Sequence, residues 1–311
     1  MLSDAYRGQV ALLIRALPFV AEETVFALKG GTAINLFMRD LPRLSVDIDL
    51  TYLPVEDRAI SLAAIDAAML RIQARIEQGL RGVRVTPSRV QDDNIVTKLV
   101  VRLNGVQIKI EVTPVLRGTV YEPVLMPVSP AVEEAFGFAE INVVSFADLY
   151  AGKIAAALDR QHPRDLFDVR DLLNNEGVSD DLRSAFLVYV VSHPRPMAEI
   201  LAPPRKNIDN EYSRGFEGMT ETPVSLEDLT DAREAIIRIM VAEMPLDHRR
   251  FLVGFKRGAP DWTLLGIPEA RNLPAVRWKR QNLDRLGADR RATLASKLEA
   301  ILFPATRAPG P

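Results

Sequence analysis

The sequence predicts an α+β protein in two parts, a mixed-sheet domain with flanking helices over residues 1–140 and a mostly helical domain over residues 141–311. Three observations predict it. The first part alternates helix-period and strand-period hydrophobic patterns. A hairpin dipeptide, Asn104-Gly105, joins two of its strands. From about Ser145 helical periodicity takes over, broken at Pro163, Pro194, Pro196, Pro203 and Pro204. A chain of 311 residues, 48% of them hydrophobic, has ample material for two cores.

The elements follow in order. Residues 5–20 carry a helical apolar period and 25–29 read as extended. Gly30-Gly31-Thr32 breaks the chain and opens a helix from Ala33 to Arg39. Leu44 to Tyr52 reads as a strand and Ile60 to Leu80 as a long amphipathic helix. Val83 to Val85, Ile95 to Leu103 and Val106 to Val112 read as strands, followed by punctuation at Pro123, Pro127 and Pro130. Asp148 to Arg160 is a helix with its apolar stripe at Tyr150, Ile154, Ala157 and Leu158, and a second helix runs from His162-Pro163 to Leu173. The tail Pro304–Pro311 is expected to fray.

Composition narrows the chemistry. With no cysteine, disulfides, thiol nucleophiles and thiolate zinc sites are excluded. His162, His193 and His248 are scattered, so any metal is expected to be a hard cation held by carboxylates. The start, Met1 to Arg7, lacks the pattern of a signal peptide. Apolar runs such as Phe186 to Val191 are too short to cross a bilayer. A cytoplasmic protein is expected. Residues 271–300 carry a local charge of +5 against −7 for the remainder, and this basic end suggests a polyanionic partner, the alternative being a solvated, ion-paired helix face. Trp278 in this segment is expected to be buried, the alternative being a stack on a base.

The candidate chemistry concentrates in residues 30–49. Alternation along a strand sends Arg43, Ser45, Asp47 and Asp49 to one side and Leu44, Val46, Ile48 and Leu50 to the other. Two carboxylates that close repel each other, and a divalent cation relieves the repulsion. Upstream, the glycines of Lys29-Gly30-Gly31-Thr32 let the backbone approach a ligand where a helix start offers free N–H groups to phosphate. Asp-x-Asp about fifteen residues after Gly-Gly-Thr resembles the signature of the polymerase-beta-like nucleotidyltransferase fold. Glu111 shares a face with Gln107 and Lys109. If its strand neighbours that of Asp47 and Asp49, it can complete a metal site or accept a proton; otherwise it is a solvent-facing glutamate paired to a base. Read alone, Lys153 is a surface lysine at the edge of an apolar stripe and Asp165 a first-turn acid facing the helix dipole.

The motifs together resemble a known family. Gly30-Gly31-Thr32-Ala33-Ile34-Asn35 and Arg43-Leu44-Ser45-Val46-Asp47-Ile48-Asp49-Leu50 are similar to the first two motifs of the AbiEii/AbiGii, MenT-type, nucleotidyltransferase toxins. Lys153-Ile154-Ala155-Ala156 resembles the third motif, and Arg164-Asp165-Leu166-Phe167-Asp168-Val169 the fourth. The stretches Phe251 to Trp262 and Pro274 to Lys279 also look familial. The resemblance implies a toxin encoded beside an antitoxin, which moves a nucleoside monophosphate from NTP to RNA, at the 3′ end of tRNA, and so blocks translation. It implies that Asp47 and Asp49 hold Mg²⁺, that Gly30, Gly31, Thr32 and Ser45 cradle phosphates, and that Lys153 faces the triphosphate while Asp165 fixes the lysine or the base. Arg277, Lys279 and Arg280 are the candidate RNA contacts. Two alternatives stay open. One is nucleotidylation of a protein hydroxyl or of a small molecule such as an aminoglycoside. The other is a non-catalytic nucleotide- or RNA-binding module.

Overall fold

Two compact units divide the chain in the structure, a computed structural model that describes residues 4–90 and 94–304. The first unit runs to Leu149 and takes in Glu217–Pro223, while the second comprises Tyr150–Phe216 and the chain from Val224. The fraying expected of residues 305–311 lies outside the described residues.

The first unit is built on a seven-stranded mixed sheet. Helix α1 (Asp4–Ala21) buries Tyr6, Val10, Leu13, Leu17 and Val20, the three-and-four spacing of one helix face. Strand β1 (Phe26–Lys29) runs directly into α2 (Gly30–Ala33), which widens to a π-helical turn over Ile34–Met38. After β2 (Asp47–Tyr52) comes the long helix α3 (Arg58–Gly79). The meander β3 (Arg84–Val90), β4 (Ile95–Leu103) and β5 (Val106–Val112) follows. The unit ends with β6 (Val124–Pro127), α4 (Pro130–Phe136), β7 (Glu140–Val143) and the start of α5 (Phe146–Arg160). Strand order is β3-β4-β5-β2-β1-β7-β6, with β2 parallel to β5, β1 parallel to β7, and the other neighbours antiparallel. Helix α1 packs on β5 and β7 and α3 on β3 and β4. Beneath them lie Leu28, Ile48, Leu50, Ile108 and Ile110, all but free of solvent exposure.

The strand expected over Leu44–Tyr52 begins only at Asp47. Upstream of it the backbone donors go elsewhere: Leu44 N–H bonds the Met219 carbonyl, Ser45 N–H bonds the Tyr6 hydroxyl, and Arg43 forms a single bridge to Thr220. Arg43 and Ser45 are therefore outside the ladder that orients Asp47 and Asp49, and the buried apolar face starts at Ile48, with Leu44 and Val46 half-exposed. Strand β3 extends well past Val85 as an exposed edge strand, with Pro87 and Arg89 on it, as edge strands tolerate. Strands β6 and β7 and helix α4 occupy the stretch that reads from sequence only as proline punctuation.

The second unit is helical. After the rest of α5 come α6 (Pro163–Asn175), α7 (Asp180–Ser192), α8 (Met197–Leu201), α9 (Asp209–Gly215) and α10 (Leu226–Ile237). Helices α11 (Leu246–Arg257), α12 (Pro274–Asp284) and α13 (Ala288–Leu302) complete it, with short 3₁₀ turns at Trp262–Leu265 and Pro268–Asn272. Ser179 caps α7 and Ser225 forms a capping box with Asp228 on α10, while Gly258 (φ 86°) ends α11 in the left-handed conformation that glycine favours. The stripe residues Tyr150, Ile154, Ala157 and Leu158 are fully buried. Trp278 is not: 53% of it is exposed, against the expectation of burial, and Lys279 Nζ lies 5.8 Å from its ring centre. Among the described residues no helix is long and apolar enough to cross a membrane.

Candidate active site

Register across the first-unit sheet gathers charged side chains into rows. Lys29 on β1 stands opposite Asp49 on β2, Asp49 beside Glu111 on β5, and Glu111 opposite Lys98 on β4. In the adjoining row Asp47 stands beside Lys109. Neighbouring strands are about 4.8 Å apart, so the two inner carboxylates of the first row are adjacent and a lysine flanks each. Lys98 Nζ meets Glu111 Oε1 at 2.7 Å, and Lys29 Nζ bonds Thr113 Oγ1 at 3.3 Å. Burial pushes the Lys29 pKa down, with Asp49 opposing the shift. Glu111 thus does neighbour the Asp47/Asp49 strand, and it is also ion-paired to a base.

The Gly-Gly turn closes over this row. Gly30 has φ 78°, and a Cβ there would stand 2.6 Å from Asp49 Oδ2, so only glycine permits this approach of backbone to carboxylate. A Cβ on Gly31 would meet Arg43 Nη2 and Ser45 Oγ, each at 2.7 Å. Thr32 is fully buried and donates its hydroxyl to the Asp47 carbonyl at 2.6 Å, with Ser45 Oγ 3.3 Å away. Its side chain therefore braces the loop against β2. Asn35 completes the brace, donating to the Gly31 carbonyl at 2.6 Å and accepting from Arg43 N at 3.2 Å.

The donor set suits a hard divalent cation. Asp47 and Asp49 share a face, both half-buried, and the Asp47 carboxylate makes no hydrogen bond or ion pair with a described residue. Among the described residues no three His, Asp or Glu side chains converge into a ready-made ligand cluster. Two carboxylates, with water and phosphate oxygens supplying the rest, are the usual protein share of a magnesium site.

The second unit holds a separate buried cluster. Lys153 on α5, 8% exposed, lies 2.9 Å from Asp165 Oδ1 and 3.0 Å from Asp168 Oδ2 on α6, both carboxylates 1% exposed. Arg160 binds Asp165 through both oxygens, at 2.5 and 2.9 Å. Burial alone would raise the Asp165 pKa, but Lys153 and Arg160 override it and hold the carboxyl well below its ordinary range. Among these four side chains the formal charges balance. His162 caps α6, its Nδ1 accepting from Arg164 N at 3.2 Å, and burial together with Arg164 lowers its pKa.

Sequence reasoning missed Lys29, Lys98, Arg160 and Asp168. Lys29 carries a local signal, since it closes a strand at the residue before the glycines. The partnership of Asp168 with Lys153 shows in its three-residue spacing from Asp165, which puts both on one face of α6. Of the candidate RNA contacts, Arg277 is exposed and Arg280 pairs loosely with Asp284 at 3.4 Å, whereas Lys279 is half-buried and donates to the Pro194 carbonyl at 3.1 Å.

The model of the family described as nucleotidyl transferase AbiEii toxin, type IV toxin–antitoxin system, matches residues 11–282. The fold is similar to that of MenT4, a nucleotidyltransferase toxin from Mycobacterium tuberculosis H37Rv, with a TM-score of 0.60 over 93% of each chain at 17% sequence identity. No curated protein matches. At that identity the solved structure speaks to the fold, while the family match spans most of the chain and includes Asp47, Asp49, Lys153 and Asp165. The chain belongs to the AbiEii nucleotidyltransferase toxin family of type IV toxin–antitoxin systems.

Proposed function

We propose that this nucleotidyltransferase moves a nucleoside monophosphate from NTP to the 3′ end of an RNA acceptor, tRNA, and thereby blocks translation in the cytoplasm until a cognate antitoxin neutralises it. The observation that carries the reading is the Asp47/Asp49 face closed by a positive-φ Gly30, a carboxylate pair set against a turn whose backbone only glycine can bring so near. Mg²⁺ bound by Asp47 and Asp49 would supply the charge neutralisation that brings the triphosphate and the acceptor oxygen together. The backbone of Gly30, Gly31 and Thr32 with the Ser45 hydroxyl cradles the β and γ phosphates. Lys153 faces the triphosphate and Asp165 positions it. The acceptor hydroxyl oxygen bonds the α phosphorus, the bond from that phosphorus to the β-bridging oxygen breaks, and pyrophosphate leaves. The hydroxyl proton passes to a carboxylate of the Asp49–Glu111 row. Arg277, Lys279 and Arg280 are the acceptor-side contacts.

The test incubates the protein with Mg²⁺, each labelled NTP in turn, and total tRNA, a protein mixture or an aminoglycoside. Label in tRNA with pyrophosphate release supports the reading. Label in protein or drug moves the acceptor to the alternatives, and no pyrophosphate release with any pair makes the chain a binding module.

A further inference from the structure

In the second unit, α11, the Trp262–Leu265 turn and α12 enclose an open cleft of about 470 Å³, a size in the range that holds a small ligand, roughly 300–1,000 Å³. Its floor is apolar and aromatic. Trp262 stands edge-on to Phe251 and Phe255, with ring centres 4.9 and 6.4 Å away, so the indole is fixed from the core side, and Val276 lies buried beside it. Its rim is cationic: Arg271, Arg277 and Arg280 all line it.

Those guanidinium groups are poorly neutralised. Arg271 and Arg277 form no ion pair with a described residue, and Arg280 has only the long contact to Asp284. The nearby acids are committed elsewhere. Asp261 accepts from Thr263 N and Oγ1 at 3.0 and 2.6 Å, and Glu269 from the Asn272 amide at 3.1 Å. Like charges gathered without counterions attract a polyanion. A fixed aromatic floor beneath a guanidinium rim matches an unstacked nucleotide, its base on the ring and its phosphates on the arginines. A duplex hides its bases from such a floor. Gln281, also at the rim, offers an amide to a base edge.

We infer that this cleft binds one unpaired nucleotide of a single-stranded RNA segment, with the base against Trp262 and the flanking phosphates on Arg271, Arg277 and Arg280. The inference rests on the RNA-acceptor reading and adds to it a site and a strand state.

The chain has two tryptophans, Trp262 and Trp278, so Trp278→Phe at the exposed position leaves Trp262 as sole reporter. Full-length Trp278→Phe protein is titrated with a short single-stranded RNA and with its duplex, following Trp262 emission and, in parallel, the anisotropy of end-labelled RNA. Saturable quenching by the single strand, at least about tenfold weaker with the duplex, is expected. Adding Arg271→Ala or Arg277→Ala should weaken binding at least about tenfold at low salt and reduce the salt slope by about 0.7 each. Unchanged Trp262 emission while anisotropy reports bound RNA overturns the cleft, as does equal quenching by the duplex. Label transfer by the same protein separates the two readings. Transfer to RNA with a silent Trp262 discards the cleft and keeps the acceptor. Quenching with no RNA ever labelled keeps the cleft and discards the acceptor.

Discussion

Replacing Lys153 by alanine tests stability and catalysis at one residue. The ammonium sits at 2.9 and 3.0 Å from two carboxylates that are each 1% exposed, whereas the other cation on Asp165, Arg160, is 62% exposed. Removing Lys153 takes the buried ammonium from both carboxylates, and breaking a buried pair from one side costs about 3–5 kcal/mol. At roughly 2–4 °C per kcal/mol for a unit of this size, the melting temperature should fall by about 6–20 °C. The catalytic effect is smaller, because one charge-assisted contact to phosphate is worth about 1.5–3 kcal/mol, a loss of roughly 10- to 150-fold in kcat/KM. Melting by circular dichroism, followed by kinetics well below the variant's transition, separates the two. Asp168→Asn is the partner experiment. It releases the ammonium from one carboxylate while Asp165 still holds it, so kcat/KM for NTP should hold or rise. A Lys153→Ala protein melting within about 2 °C of its parent refutes the electrostatic account of the cluster. One that is destabilised yet keeps its kcat/KM shows a structural lysine.

Asp47→Asn and Asp49→Asn should each lower transfer by roughly a thousandfold or more with an unchanged melting temperature, and near-parental activity in either folded variant removes that carboxylate from the site. Gly30→Ala forces a side chain into φ 78° with its Cβ 2.6 Å from Asp49 Oδ2, so it should cost at least about 1 kcal/mol of stability and more than about tenfold in rate, while a parental rate shows the turn to be a bystander. The Glu111–Lys98 pair is 39% and 35% exposed and is worth at most about 1 kcal/mol, so Lys98→Ala should be nearly silent in melting; a rate loss in Glu111→Gln but not in Lys98→Ala assigns Glu111 to the chemistry, and equal effects assign it to the pair. The His162 pKa is lowered in the fold, so its contribution is present above the ordinary histidine range near 6.5 and is lost as pH falls below it. His162→Asn keeps an N-cap acceptor and should flatten the decline in melting temperature between about pH 7 and 5, whereas an unchanged pH profile rules the cap out as its source.

Where the sequence was readable, one short-range rule sufficed. Asn104-Gly105 adopts φ 50° and 80°, the paired left-handed turn of a two-residue hairpin, and β4 and β5 run where alternation puts them. Alternation also sets Asp47 and Asp49 on one face and Ile48 and Leu50 on the other. It fails at Arg43 to Val46, because the partners of that stretch are Tyr6, Met219 and Thr220, distant in sequence. Strand β6 is an exposed edge with a proline at its end, and β7 alternates over only four residues, Glu140–Val143, too few to read as a strand on their own. Lys98 joins the row only through strand register, while Lys29 and Asp168 carry local signals that gain meaning once register and the α5–α6 packing are known. The motifs name the candidate site residues, while the ion pairs around them follow only from the fold.

The segment Glu217–Pro223 has a consequence for biosynthesis. It belongs to the first unit, where Met219 and Thr220 pin the backbone at Leu44 and Arg43, beside the Gly31 turn. A ribosome releases every strand of the sheet long before it releases this clasp. A nascent chain ending at Phe216 would hold a finished sheet and an unfastened Gly31 turn, so the proposed nucleotide site stays incomplete until much of the helical half has emerged. Nicking just after Phe216 should therefore lower transfer while leaving Asp47, Asp49, Lys153 and Asp165 unchanged.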